Sequence, residues 1–188
     1  MTFQVSEEYP NRVKIQKADG FALIDMIFVC GIIGIISSIA VPRMLLARQV
    51  ASSASAIGTL RTINSAELSY AITCGSGFYA PTLTTLGTAP PGATVSFISP
   101  DLGSANSITK SSYQFQLTAQ AFNGAPPSCN GLGADAGGRG YVVGADPLDA
   151  TNLRFFATNA NSTIWEDTVS MYATIGEYAD PPSGHPIR

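Results

Sequence analysis

The feature that most constrains this chain is an apolar run near its N-terminus. Within residues 21–42 the only charged residue is Asp25, and residues 26–42 carry no formal charge. About 20 such residues are enough for an α-helix to cross the hydrocarbon core of a bilayer. A carboxylate inside such a segment is energetically costly, so its presence indicates a function and a cationic partner.

Basic residues on both sides of the run bear on its orientation. Arg12, Lys14 and Lys17 precede it, and the positive-inside rule places this flank in the cytoplasm. Arg43 and Arg48 follow the run and oppose this orientation mildly, but the first flank usually dominates. We therefore expect one membrane span, with the remainder of the chain exported.

The junction between Gly20 and Phe21 separates a short polar stretch from the apolar run. Cleavage after Gly20 would create an α-amino group four residues before Asp25, which supplies the cation that the carboxylate needs. A competing interpretation is an ordinary secretory signal peptide, because residues 38–40 fit a small-x-small cleavage site. Two features argue against a signal peptide. Asp25 interrupts the start of the apolar region, and Pro42 lies close behind the cleavage site that would follow residue 40.

The residues at this junction resemble the prepilin signature of type IV pilins and type II secretion pseudopilins. That signature has Gly, then Phe, two or three small or apolar residues, and an acid at the fifth mature position. Gly20, Phe21 and Asp25 match it, and the resemblance covers about residues 18–45. Two positions depart from the usual pattern, because the acid is Asp rather than Glu and Asp19 stands where a basic residue is commoner.

The resemblance implies how the chain is processed and used. A membrane prepilin peptidase would remove residues 1–20 and methylate the new α-amino group of Phe21. The mature chain would wait in the inner membrane, and pilus or secretion machinery would extract it into a homo-oligomeric helical filament at the cell surface or in the periplasm. There Asp25 would pair with the α-amino group of a neighbouring subunit, and the segment from Gly34 to Pro42 would be able to lose helix.

A second helical pattern continues beyond the apolar run. Apolar residues recur every three or four positions, which predicts an amphipathic helix over residues 43–73. Joined to the run, it would form a helix about 75 Å long, more than a small domain needs for its own core. We place Ala51, Ala54, Ile57, Leu60, Ile63, Ala66 and Tyr70 on its apolar face, and Arg48, Arg61, Asn64 and Glu67 on its other faces.

The remaining residues predict a small β head. Gly, Pro, Ser, Thr and Asn become frequent after the helix, which is typical of short strands joined by turns. Strand candidates lie at residues 113–118, 141–145, 153–158 and 163–166. Residues 180–188 are expected to form a turn-rich surface tail. We predict an α+β fold like the heads of the pilin family, with a long N-terminal helix packed on a small antiparallel sheet. Its segments are a leader (1–20), a transmembrane or filament-core half-helix (21–42), an amphipathic half-helix (43–73) and the exported head (74–188).

The chain has three cysteines. Cys30 lies in the apolar run and is most simply a small hydrophobic residue. Cys74 and Cys129 lie in the polar remainder and would pair in an exported domain. The alternative is two free thiols in a cytosolic domain, and we favour the disulfide because the membrane signal implies export.

The sequence offers no catalytic or cofactor-binding arrangement, so we expect neither an enzyme nor a cofactor. The single His, His185, lies in the Pro-rich tail, and a Ser/His/Asp or Cys/His site would have to use it. A net charge of −3 with scattered basic residues gives no nucleic-acid signal. Some pseudopilins bind calcium in a late loop, so the resemblance makes Asp146, Asp149 and Asn152 secondary calcium candidates, although their spacing fits no EF-hand.

Three functions remain open at this point. The favoured one is a structural subunit of a type IV pilus-like filament. The first alternative is a type II secretion pseudopilin that forms a short periplasmic piston. The second is a membrane-anchored periplasmic binding or adhesion protein that never polymerises, and Asp25 argues against it because a plain anchor has no use for the charge.

Overall fold

The structure is a computed structural model, and it describes residues 23–187. Gly20, Phe21 and the predicted leader lie outside the described residues. The chain divides into two compact units, of which the first ends at Met44 and the second begins at Leu45. The long N-terminal helix α1, Leu23–Thr73, contributes residues to both.

Two short helices and six strands follow α1. They are α2 Leu83–Gly87, α3 Pro100–Gly103, β1 Ser107–Lys110, β2 Tyr113–Thr118, β3 Val142–Pro147, β4 Phe155–Asn159, β5 Ile164–Asp167 and β6 His185–Pro186. The strands form an antiparallel sheet in chain order, β1-β2-β3-β4-β5-β6. This is the α+β fold that the sequence predicts, with a long N-terminal helix and a small antiparallel sheet.

The main core of the second unit lies between α1 and one face of the sheet. Leu60, Ile63 and Tyr70 are buried on the helix, at the spacing that keeps residues on one helical face. From α2, Leu83 and Leu86 are fully buried in the same core. This short helix therefore packs against the core that α1 and the sheet form.

Strand β2 coincides with the predicted strand at residues 113–118 and alternates between buried and more exposed residues. Tyr113, Phe115 and Leu117 are buried in the main core, as expected for a strand whose side chains alternate between two faces. Phe115 lies opposite Ala145 of β3, and Ala145 lies opposite Phe156 of β4. The strands therefore present consecutive rows of apolar side chains to the helix.

The other face of the sheet carries a second, smaller apolar cluster. Val142 and Ala157 pack there against Met171 and Ile175, which follow β5 in the chain. Gly144 makes room for this layer, because a Cβ at that position would lie 2.7 Å from the Cβ of Tyr172. Both faces of the sheet are therefore partly covered.

Four residues of α1 differ from the prediction in whether they are buried or exposed. Ala51 and Ala54 are exposed, whereas Asn64 is 8% exposed and Glu67 is fully buried. The reason is spacing, since Glu67 follows Ile63 by four residues and thus lies on the buried stripe. Its charge suggested a solvent-facing position, and this assignment was wrong.

The predicted strands also differ from the observed ones at several points. β3 continues to Pro147, which pairs with Tyr113, two residues beyond the predicted end of this strand at residue 145. The tail is not only turns, because β6 pairs with β5 and the Ile187 N–H donates to the Ile164 carbonyl at 2.8 Å. Proline is tolerated in β6 because this strand lies at the sheet edge. β1 was not predicted.

Candidate functional site

The apolar half of α1 is an uncovered hydrophobic surface. Of the described helices, α1 is the one that is long and apolar enough to cross a membrane, with mean hydropathy 2.4 over 18 residues and none of that window buried. Its large apolar side chains between Leu23 and Leu46 are 42–76% exposed. A contiguous surface of this kind marks contact with a membrane or another protein.

Asp25 lies in the first turn of α1. A carboxylate at this position is favoured by the unpaired N–H groups and the positive end of the helix dipole. Its predicted cationic partner is the α-amino group of Phe21, which lies outside the described residues. The pairing therefore stays a prediction, and the position of the acid in the helix is compatible with it.

Gly34 and Pro42, the other predicted assembly residues, both lie within α1. A Cβ at Gly34 would meet no atom within 4 Å, so contacts among the described residues give no reason for a glycine there. Pro42 lacks the N–H that an interior helical residue donates, which weakens the helix locally. Both residues are helical here, and a local loss of helix on assembly remains a prediction about another state.

A disulfide joins Cys74 to Cys129, with a Cα–Cα distance of 4.9 Å and a sequence separation of 55. The Cys129 N–H also donates to the Cys74 carbonyl at 3.1 Å. The predicted pairing is confirmed, and Cys30 is a free, exposed thiol. The link fastens the end of α1 to the long connection between β2 and β3.

Glu67 is a buried acid that sequence reasoning missed. Its Oε2 accepts a hydrogen bond from the Ala80 N–H at 2.9 Å, and its Oε1 has no hydrogen-bond partner among the described residues. Burial raises the pKa of the Glu67 carboxyl well above its usual value, and the bond from Ala80 only partly opposes this. The fold therefore favours the neutral acid at this position.

Asn64 forms a second buried polar link from α1 to the sheet. Its Oδ1 accepts from the Tyr141 hydroxyl at 3.0 Å, and its Nδ2 donates to the Thr158 hydroxyl at 3.0 Å. Burial also raises the pKa of Tyr141. With both ends of its amide satisfied, Asn64 fixes the helix relative to β4 and the residue preceding β3.

The three calcium candidates each have a protein partner of their own. Asp146 accepts from a serine hydroxyl after β5 at 2.6 Å, and Asp149 accepts from the backbone and side chain of Thr151. Asn152 is buried and donates to the Tyr113 hydroxyl at 2.9 Å. Within residues 23–187 no group of three or more His, Cys, Asp or Glu side chains is placed to hold a metal. The geometry thus adds no support for calcium binding.

The single histidine lies on β6, outside any acid–base arrangement in the described part of the chain. His185 is exposed and stands opposite Glu166 in the sheet register. The Glu166 carboxylate is already held by Arg154, with Nε–Oε1 at 2.5 Å and Nη2–Oε2 at 2.9 Å. That bidentate pair lowers the pKa of Glu166 and fastens β4 to β5.

In comparisons with protein-family models, with curated proteins and with solved structures, nothing matches this chain. Its function is therefore argued from its residues and their geometry.

Proposed function

We propose that this chain is a prepilin-like structural subunit, inserted in a membrane through the apolar half of α1 and polymerised through the same helix. The observation that supports this most is the uncovered apolar helix with Asp25 in its first turn. A plain membrane anchor accounts for the apolar surface but not for the charge. A subunit contact that provides a cation accounts for both.

The proposed sequence of events begins with processing. A prepilin peptidase cuts between Gly20 and Phe21 and methylates the new amino group, and the mature chain waits in the inner membrane. Assembly machinery then moves it into a filament, where neighbouring helices replace lipid around α1. Because lipid is as apolar as those helices, the exchange brings little hydrophobic gain, and polar pairing and close packing decide which contacts form.

Asp25 is proposed to set the register between subunits. Its carboxylate pairs with the α-amino group of Phe21 on a neighbour, in surroundings that exclude water. Removing one partner from a buried ion pair leaves an unpaired charge and costs about 3–5 kcal/mol. Subunits that pack out of register would leave this charge unpaired at every contact, so the ion pair favours one register between neighbouring subunits.

The second unit is proposed to be the exported head. Its disulfide is typical of proteins that fold in an oxidising compartment such as the periplasm. The predicted destinations are a cell-surface pilus or a periplasmic pseudopilus. Pilus subunits and pseudopilins share these features, and the length of the assembled filament distinguishes them.

Mass spectrometry of the mature N-terminus tests the processing step directly. From the host membrane or a sheared surface fraction we expect a chain that begins with N-methylated Phe21. Gly20→Leu should block processing, whereas the control Ala18→Leu should leave it intact. A chain that begins at Val41 would indicate a signal peptide, and an intact Met1 would indicate a plain anchor; either result refutes the proposal.

Substitution of Asp25 tests the register. We expect Asp25→Ala and Asp25→Asn to cripple filament yield while membrane insertion and processing continue, because only the charge at the subunit contact is lost. Asp25→Glu keeps the charge and should assemble. Yield can be measured by shearing and quantifying filaments, and wild-type yield from Asp25→Ala would contradict the assigned role.

A further inference from the structure

A cavity of about 310 Å³ lies between α1 and the connection that joins β3 to β4. All the residues that line it belong to the second unit, which begins at Leu45. Its volume is at the lower end of the range that small-molecule sites in proteins occupy. We call it the α1 cavity, and it has room for a ligand of a few heavy atoms.

The lining of the α1 cavity is almost entirely polar. Leu45 is the one apolar residue among the described residues that line it. Hydroxyl groups come from Ser52, Ser112 and Thr151. Covering a polar group without giving it a hydrogen-bond partner costs free energy. The cavity therefore favours a ligand with charged or hydrogen-bonding groups over a hydrocarbon.

Buried hydrogen bonds fix one wall of the cavity. Asn152 lines it and is 6% exposed, and its Nδ2 donates to the Tyr113 hydroxyl at 2.9 Å. That hydroxyl lies 2.9 Å from the hydroxyl of Ser53 on α1 and donates to the Arg154 carbonyl at 2.9 Å. Tyr113 and Ser53 are fully buried. A wall held in this way is preorganised, so little ordering is needed when a ligand binds.

A chain of hydrogen bonds positions Asp149 at the same cavity. The Gln49 amide donates to the Thr151 hydroxyl at 2.9 Å. The Thr151 N–H and hydroxyl donate to Asp149 Oδ1 at 2.9 and 2.7 Å. These two bonds lower the pKa of the Asp149 carboxyl, so the group is ionised at neutral pH. Its second oxygen, Oδ2, accepts no hydrogen bond from residues 23–187 and is available to a ligand.

Arg48 brings the opposite charge to the α1 cavity. It forms no salt bridge within the described part of the chain, where the ion pairs involve other residues. Arg48 and Asp149 thus line one cavity without pairing. A simple anion bound there would be repelled by the carboxylate, and a simple cation by the guanidinium. A molecule that carries both charges complements both groups.

We propose that the α1 cavity binds a small zwitterionic amino acid, whose carboxylate pairs with the Arg48 guanidinium and whose ammonium group pairs with Asp149 Oδ2. A guanidinium can hold a carboxylate through two parallel N–H···O bonds. An ammonium group has three donors, so it can also reach the hydroxyls of the lining. This binding is additional to the structural role proposed above. Because the site lies wholly in the second unit, it does not depend on membrane insertion or filament assembly.

Ligand-detected saturation-transfer NMR on the full chain in mild detergent tests this site. Glycine, β-alanine and γ-aminobutyrate present the two charges at increasing separation, whereas acetate and methylammonium each carry one charge. We expect at least one of the three amino acids to bind about tenfold or more tightly than either single-charge ion. A factor of this size corresponds to one charge-assisted hydrogen bond.

Substitutions of the two charged residues separate their roles. Asp149→Asn keeps an oxygen that can accept from Thr151 but removes the charge, so amino-acid affinity should fall about tenfold or more while acetate affinity does not fall. Arg48→Ala should weaken the amino acid similarly without weakening methylammonium. The control is Arg61→Ala, which removes an exposed arginine of α1 that lines a different cavity, and it should bind like the wild type. Matching urea midpoints, followed by Trp165 fluorescence, verify that each variant is folded.

Three results would overturn the proposal. The first is that none of the three amino acids gives a saturable signal. The second is that acetate or methylammonium binds as tightly as the best amino acid, or that its affinity is unchanged in Asp149→Asn or Arg48→Ala. The third is an equal loss of affinity in Arg61→Ala, which would mean that the net charge of the head, rather than this cavity, controls binding.

Discussion

Replacing Glu67 with Gln should flatten the pH dependence of the head's stability. The Glu67 side chain is fully buried, and its carboxyl accepts one hydrogen bond from the Ala80 N–H. Burial raises its pKa well above the usual value. Glutamine has nearly the same shape, and its amide oxygen can accept the same bond, but it does not ionise.

The direction and size of the effect follow from proton linkage. In the unfolded chain a Glu side chain titrates near pH 4.3. Below that pH the Glu67 carboxyl is protonated in both the folded and the unfolded state, so the free energy of unfolding keeps its full value. Above it the unfolded state releases a proton that the folded state keeps, so the free energy of unfolding falls by up to about 1.4 kcal/mol per pH unit. The fall stops once the pH passes the raised pKa of the folded state.

Urea unfolding of the full chain in mild detergent, with the disulfide intact, measures this effect. Trp165 is the only tryptophan and reports on the head. Between pH 4.5 and 6.5 the free energy of unfolding of the wild type should fall relative to that of Glu67→Gln, by at most about 1.4 kcal/mol per pH unit. Other titrating groups cancel because both proteins contain them. Parallel pH profiles for the two proteins would refute the reasoning. Glu67→Ala should destabilise at every pH, because the buried Ala80 N–H loses its acceptor at a cost of about 1–3 kcal/mol.

Two further predictions concern the covalent link and the packing of the outer sheet face. Cys74→Ser combined with Cys129→Ser should lower the free energy of unfolding by about 4 kcal/mol on the chain-entropy model for a 55-residue separation; an unchanged urea midpoint would contradict it. Gly144→Ala should destabilise by about 1–3 kcal/mol, because the new Cβ would lie 2.7 Å from the Tyr172 Cβ. Gly58→Ala is its control, since nothing lies within 4 Å of that Cβ and a helical alanine should stabilise by about 0.5–1 kcal/mol; equal effects in thermal unfolding would refute the packing argument.

The main elements of the fold follow from local patterns in the sequence. Period-2 alternation at Tyr113, Phe115 and Leu117 is enough to predict β2 and its buried face. Apolar residues spaced three or four positions apart between Leu60 and Tyr70 predict where α1 meets the core. The end of α1 at Thr73 agrees with the loop-forming residues that follow. These apolar patterns predict structure well because the residues that recur with the period of the helix or strand are also the residues that the fold buries.

Other features depend on tertiary contacts that local patterns do not contain. Glu67 was misplaced because charge normally indicates exposure, although its spacing from Ile63 and Tyr70 would have placed it on the buried stripe. β6 has two residues and a proline, and only the exposed edge of β5 makes it a strand. No propensity scale would select it, because its pairing partner lies about 20 residues away in the chain.

In the candidate site, too, some features can be predicted from local sequence patterns and others depend on contacts that those patterns do not contain. Asp25, Gly34 and Pro42 are visible as exceptions within an apolar run, and their positions in α1 follow directly. Their proposed roles involve a second copy of the chain, which no single-chain pattern describes.

The order of the strands bears on how such a head is made. Every strand pairs with its neighbour in the chain, so the sheet can grow strand by strand in chain order. Pairings between nearby segments have a low contact order, which favours rapid folding. A growing sheet of this kind leaves its newest edge open only until the next strand arrives, which shortens the time available for aggregation through that edge.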